Sequence, residues 1–167
     1  MKNSLFILFI IVLFVSCSRT SPAEQRRAEK HVRDSVALTE QQRSLDYYQT
    51  QLEELSPKAD SLIRFFKYEK NEKYQDHGFY VVTAMGGQLR LLVRDDGKEP
   101  VVAYYNGERR EVAGDEVSRL TMTDKDRDKV ALAQQLAVTI ADINELEKRI
   151  QRTSKEIQKY EKRLQNN

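Results

Sequence analysis

The sequence predicts an α+β fold: two long amphipathic helices forming an antiparallel coiled-coil hairpin, with a small antiparallel β-meander inserted between them. Three observations predict it. Apolar residues recur with alternating three–four spacing over residues 38–66 and again over 132–164, which is the period of a coiled-coil seam. Between these stretches the period drops to two, the period of a half-buried strand. That middle region is punctuated by Gly86-Gly87, Asp96-Gly97 and Asn106-Gly107, all hairpin-turn dipeptides.

The N-terminal helix is expected over 35–70. Leu38, Leu45, Leu52, Ala59 and Phe66 repeat every seven residues, with Gln41, Tyr48, Leu55 and Leu62 three after each of the first four. Pro57 lies inside this pattern, where a missing N–H and a ring clash with the preceding turn predict a kink. The seam stays in register past it, so one bent helix is expected. The C-terminal helix is expected over 123–167. Leu136, Ile143, Ile150, Ile157 and Leu164 repeat every seven, with Leu132, Thr139, Leu146, Thr153 and Tyr160 between them and no Gly or Pro. As a helix, the part from Leu132 to Leu164 is about 50 Å long. Folding the two back on each other sets Phe66 beside Leu132, Leu62 beside Leu136, Leu55 beside Ile143 and Leu52 beside Leu146. Pairing within one chain and pairing between chains both satisfy the pattern, so the oligomeric state stays open.

The meander is expected over 71–122, with strands at 79–84, 88–94, 101–105 and 109–113 and an edge strand at 116–122. A turn at Gly86-Gly87 pairs Ala84 with Leu89, Val82 with Leu91 and Tyr80 with Val93. All six are apolar or aromatic, so one face is a core face. Phe79, Val81, Thr83, Arg90, Leu92 and Arg94 fall on the other, mixed face. The sheet is expected to cap the tip of the hairpin with its apolar side.

Composition agrees with an extended helical part and a small core. Charged residues make up 32% of the 167, aromatics 8%, and there is no Trp. The 28 basic and 26 acidic residues are interspersed and leave a formal net charge of +2. No global charge drives the chain towards nucleic acid or anionic lipid, and no nucleic-acid partner is expected.

The N-terminus has its own logic. Lys2 precedes an unbroken apolar run, Leu5 to Val15. Eleven residues suit a signal segment, whereas a membrane-spanning helix needs about 20. The single cysteine, Cys17, follows this run, so no disulfide can form within one chain. Leu13-Phe14-Val15-Ser16-Cys17 resembles the lipobox of bacterial lipoproteins, with Phe14 where Leu is usual. The resemblance covers the first 17 residues. It implies a signal peptide at 1–16, removal of that peptide and lipidation of Cys17, with the membrane as a partner through that lipid. The residues that follow are polar, with Pro22 early and few apolar groups, so a lipidated tether passing into the start of a helix is expected over 17–34. In this class an Asp after the cysteine accompanies inner-membrane retention. Ser18 stands there instead, and the expected location is the outer membrane, facing the periplasm. The mature region resembles uncharacterised envelope lipoproteins in architecture alone.

Few residues point to chemistry. Asp124, Asp126 and Asp128 alternate as in a calcium loop, but Lys129 stands where the sharp turn needs Gly and Gln135 where the bidentate Glu belongs. A helix start capped by Thr123 is the better reading. His31 and His77 have no helical i+4 partner, so no metal is expected. No nucleophile-elbow, zinc-protease or phosphate-loop pattern occurs, and neither a catalytic site nor a cofactor is expected. Tyr104 and Tyr105, with Arg90, Arg94, Arg109 and Arg110, form the one aromatic and basic concentration. Ordinary strand composition explains it at the bland end. As a recognition surface, its first candidates are Arg90, Arg94 and Tyr105.

Two functions follow from this reading. One is a structural or adaptor lipoprotein presenting the meander to a protein partner in the envelope. The other is a module binding an envelope ligand or polymer on the meander. An exposed apolar groove along the helices favours the first, and a concave pocket near Arg90, Arg94 and Tyr104 favours the second.

Overall fold

The computed structural model describes residues 21–70, 77–98, 101–111 and 120–166, and the side chains of these residues except Arg110 and Glu111. It is α+β. The order is α1 (Pro22–Ile63), β1 (Lys67–Lys70), β2 (Gly78–Ala84), β3 (Leu89–Arg94), β4 (Val102–Tyr105), β5 (Glu108–Glu111) and α2 (Asp124–Gln165). The chain divides into two compact units, one holding the segments up to Ser44 and from Thr153, the other Leu45–Arg152.

In the unit of Leu45–Arg152, the five strands form one antiparallel sheet in sequence order. The predicted pairs Ala84–Leu89, Val82–Leu91 and Tyr80–Val93 are all present. The β2–β3 turn has Met85, Gly86 and Gly87 at φ of 52°, 65° and 98°. Such backbone favours glycine, and Met85 is the strained member. Asn106 and Gly107, at 49° and 85°, make the two-residue turn between β4 and β5, whose positive φ at both positions matches strand twist.

The apolar sheet face meets both helices. Leu89, Leu91, Val93, Ala84, Val101 and Ala103 form one buried cluster with Leu62 of α1 and Ala133, Leu136 and Ile140 of α2. Polar contacts repeat the attachment. Asp126 Oδ1 accepts the Met85 N–H at 2.9 Å and so fixes the strained turn. Lys129 Nζ donates to the Thr83 carbonyl at 2.7 Å. Asn144 Nδ2 donates to the Asp96 carbonyl at 2.7 Å. The sheet thus lies along α2 from Asp126 to Asn144 rather than capping a helical tip. Its row of small and aliphatic residues needs a long apolar surface, and α2 supplies one.

Several expected boundaries shift. α1 begins at Pro22, inside the stretch read as a tether. Ser21 Oγ accepts the Glu24 N–H at 3.2 Å while Glu24 Oε2 accepts the Ser21 N–H at 2.7 Å. This reciprocal capping box, with proline at the first helical position, starts a helix well. α1 ends at Ile63 rather than at 70, and Lys67–Lys70 becomes an edge strand because β2 offers it a ladder. α1 runs through Pro57 as one helix. Of the edge strand expected at 116–122, Leu120–Met122 is not strand and the rest lies outside the described residues. The predicted seam positions from Leu38 to Phe66 and from Leu132 to Leu164 are all buried or half-buried. Thr139 is buried, and its hydroxyl donates to the Gln135 carbonyl at 2.8 Å.

Gly97 joins the sheet to α2 most tightly. Its φ is +61°, and an added Cβ would come within 3.0 Å of the Ala141 backbone nitrogen. Backbone in a helix cannot yield as a side-chain tip can. Gly97→Ala is therefore expected to lower stability by about 2–4 kcal/mol, measured by urea unfolding. Gly107→Ala, with positive φ but open space around it, should cost about 1 kcal/mol.

Candidate functional site

The candidate site is the sheet face turned away from the core cluster. Strand alternation places Phe79, Val81 and Thr83 of β2, Arg90 and Leu92 of β3, and Val102 and Tyr104 of β4 there. A groove of about 400 Å³ opens on this face. Phe79, Val81 and Leu92 give it an apolar floor, and Glu69, Arg90 and Tyr104 line it with polar groups. Arg90 pairs with Glu69 across β2 and is directly opposite Tyr104 on β4. The Arg90 side chain stays 46% exposed. An apolar floor with a cation, an anion and a phenol at its rim can grip an extended chain through its side chains while the rim sets register.

One end of the sheet is held by a second polar group. Asp95 Oδ2 accepts the Tyr68 hydroxyl and the Gly78 N–H, each at 2.8 Å. Tyr68 covers Gly78, where a Cβ would collide with its ring, and its ring centroid is 5.3 Å from that of Tyr80. His77 Nδ1 lies 3.3 Å from Asp95 and Nε2 3.8 Å from Asp96. Arg94 Nε meets Asp96 Oδ1 at 2.8 Å, with side chains 12% and 10% exposed. This cluster packs the loop ends together, with Arg94 and Asp96 shielded and Tyr68 and His77 at its open edge.

The sequence-level candidates separate accordingly. Arg90 is on the groove face and accessible. Arg94 is committed to Asp96. Tyr105 is on the opposite face, half-buried against the core cluster beside Leu89. Its neighbour Tyr104 is the tyrosine in the groove. Cys17 lies outside the described residues. Glu69 was missed because β1 was read as helix. Asp126 works as a capping residue, accepting both the Thr123 hydroxyl at 2.7 Å and the Met85 N–H. Among the described residues, no group of three or more His, Cys, Asp or Glu could hold a metal ion.

These contacts also shift the ionisation of the groups they join. Burial pushes Asp96 up, but the Lys98 N–H, Arg94, His77 and Lys98 outweigh it and hold the carboxyl below its ordinary 3.8. The hydrogen bonds from Thr123 and Met85 hold Asp126 below 3.8 as well. The hydrogen bond to Asp95 raises Tyr68, and burial raises Tyr80. A carboxyl lowered by folding adds stability that is complete above its unfolded value and is lost as pH falls through its folded one. Stability should therefore hold from neutrality to about pH 5 and fall below pH 3.8. Urea unfolding against pH should show a shallower acid limb for Asp96→Asn, measured from that variant's own neutral-pH value.

Compared with protein-family models, curated proteins and solved structures, the chain gives no match.

Proposed function

We propose that the chain is a membrane-anchored adaptor lipoprotein of the bacterial cell envelope. Lipid on Cys17 holds it to the outer membrane, and the outer sheet face receives an extended segment of a protein partner. The apolar floor of Phe79, Val81 and Leu92, which suits the side chains of an extended segment, carries this reading over the ligand module that a concave pocket beside Arg90 and Tyr104 otherwise favours. In it, α1 and α2 pair within one chain as an antiparallel coiled-coil hairpin, with Leu55, Leu62, Leu136 and Ile143 in the seam. The burial of those positions supports the pairing. So does Arg149 of α2, which lies 5.8 Å from the ring centre of Tyr48 on α1. The protein acts by holding a partner and catalyses nothing.

The anchor rests on the lipobox resemblance. No described helix is long and apolar enough to cross a membrane. Feeding cells a clickable fatty acid should label the wild type and spare Cys17→Ser, and equal labelling of both would contradict the anchor. For the groove, affinity capture from intact envelope should lose its partner with Arg90→Glu. Retention of the partner would contradict the groove reading.

A second reading is an envelope-polymer-binding module. It is favoured by the concave groove in which Tyr104, able to stack on a sugar ring, stands beside a cation. Cosedimentation with purified envelope polymer, with and without Tyr104→Ala, separates the two readings.

A further inference from the structure

In the unit made of the chain segments to Ser44 and from Thr153, a groove of about 600 Å³ runs between α1 and the end of α2. Lys30, Lys155, Lys159, Lys162 and Arg163 line it, with two amides and no carboxylate. On α2 these cations are spaced three and four apart, so they share one face. Like charges at that spacing repel, and a merely solvated helix face usually alternates its signs. Arg149 shows the alternating pattern, meeting Glu145 at 3.2 Å. Within the groove Lys159 has Glu156 at 3.2 Å, and Arg163 lies 5.5 Å from the Tyr160 ring centre. Neither contact reverses the sign of the lining.

We propose that this groove binds the headgroup phosphates of anionic phospholipids, so that the anchored end of the helices rests on the membrane surface. The inference rests on the lipid-anchor reading above. Cys17 is four residues before Ser21, at most about 14 Å of extended chain. Lys30 is nine residues beyond Ser21, about 14 Å along the helix. An acylated Cys17 therefore keeps Lys30, at one end of the groove, within about 30 Å of the bilayer in every orientation. The tether is long enough to let it reach the headgroups. Amines act on phosphate as point charges, and a guanidinium adds a fork of donors. Each cation near an anionic leaflet favours the contact about fivefold. Acylation supplies the attachment, and the groove sets how the helices lie. The net charge of +2 hides this site because it is local.

The test uses the full chain purified from envelope, with a nitroxide on Gln158→Cys and Cys17 checked for its acyl group by mass spectrometry. The protein is reconstituted into phosphatidylcholine vesicles with or without about one-third phosphatidylglycerol. Relaxation of the label by a lipid-borne nickel chelate should rise several-fold on the anionic vesicles. It should fall to the neutral-vesicle level when salt is raised from about 0.1 M to about 0.5 M. The same fall is expected in the triple variant Lys155→Glu, Lys159→Glu, Lys162→Glu. A triple Lys→Gln variant, checked by circular dichroism, gives the same reading should charge reversal unfold the helix. Equal relaxation on both vesicles, or none lost in the variants, overturns the proposal. Displacement by inorganic phosphate beyond that by chloride of equal ionic strength would make the ligand a free anion and overturn it too. If Cys17 carries no acyl group, the anchor reading fails by itself. Salt-sensitive flotation of the chain with anionic vesicles then supports the groove, and its absence overturns it.

Discussion

Leu136→Ala is expected to lower the free energy of unfolding by about 3–5 kcal/mol, among the largest losses available to a single truncation in this chain. Leu136 has no exposed surface and belongs to the cluster joining Leu62 of α1 to Leu89, Leu91 and Val93 of the sheet. Its removal takes away the transfer energy of the side chain. It also leaves a cavity that neither a helix pinned by Asp126 and Asn144 nor a five-stranded ladder can close. The urea midpoint should fall with little change in slope. Val138, on the same helix but 61% exposed, is the control. Val138→Ala should change stability by less than about 0.5 kcal/mol.

Arg94→Glu should cost about 3–5 kcal/mol, whereas Arg90→Glu, four residues earlier on the same strand, should cost about 1 kcal/mol or less. Arg94 and Asp96 are both shielded, at 12% and 10% exposure, and reversal sets two carboxylates against each other with His77 and Lys98 close by. Arg90 is 46% exposed, and its partner Glu69 is 33% exposed, so water compensates for most of what reversal removes. Thermal unfolding of the two variants side by side makes the comparison. Similar losses would mean that Arg90 is structural too, leaving Lys70 as the cation of the groove.

Local periodicity carried much of this fold. Gly86-Gly87 bounds two alternating runs, and because side chains alternate strictly, the register Ala84–Leu89 followed from the turn. The two long helices followed from the heptads. Ser21-Pro22-Ala23-Glu24 was also readable as a helix start, but the polar residues after it resemble a linker when no apolar stripe is present. Lys67–Lys70 was unreadable as a strand. It is short and charged, and only β2 beside it makes it one. The site was less legible than the fold. Which of Tyr104 and Tyr105 faces the groove depends on the β3–β4 register. The connection from Asp95 to Val101 is too long to fix that register from its turn residues alone. The pairing of Arg94 with Asp96 and the approach of His77 to both aspartates arise only once β2 and β3 are aligned.

The central claim is that recognition belongs to the outer face of the sheet, and neighbouring tyrosines on opposite faces give its most direct test. A photo-crosslinking amino acid is placed at position 104 or at position 105 of the acylated chain in living cells. Irradiation should join a partner to the Tyr104 variant and leave the Tyr105 variant, packed against the core, unadducted. Adducts at 105 but not at 104, or at neither while a partner is still captured with the chain, would contradict the account and move the binding surface off this face.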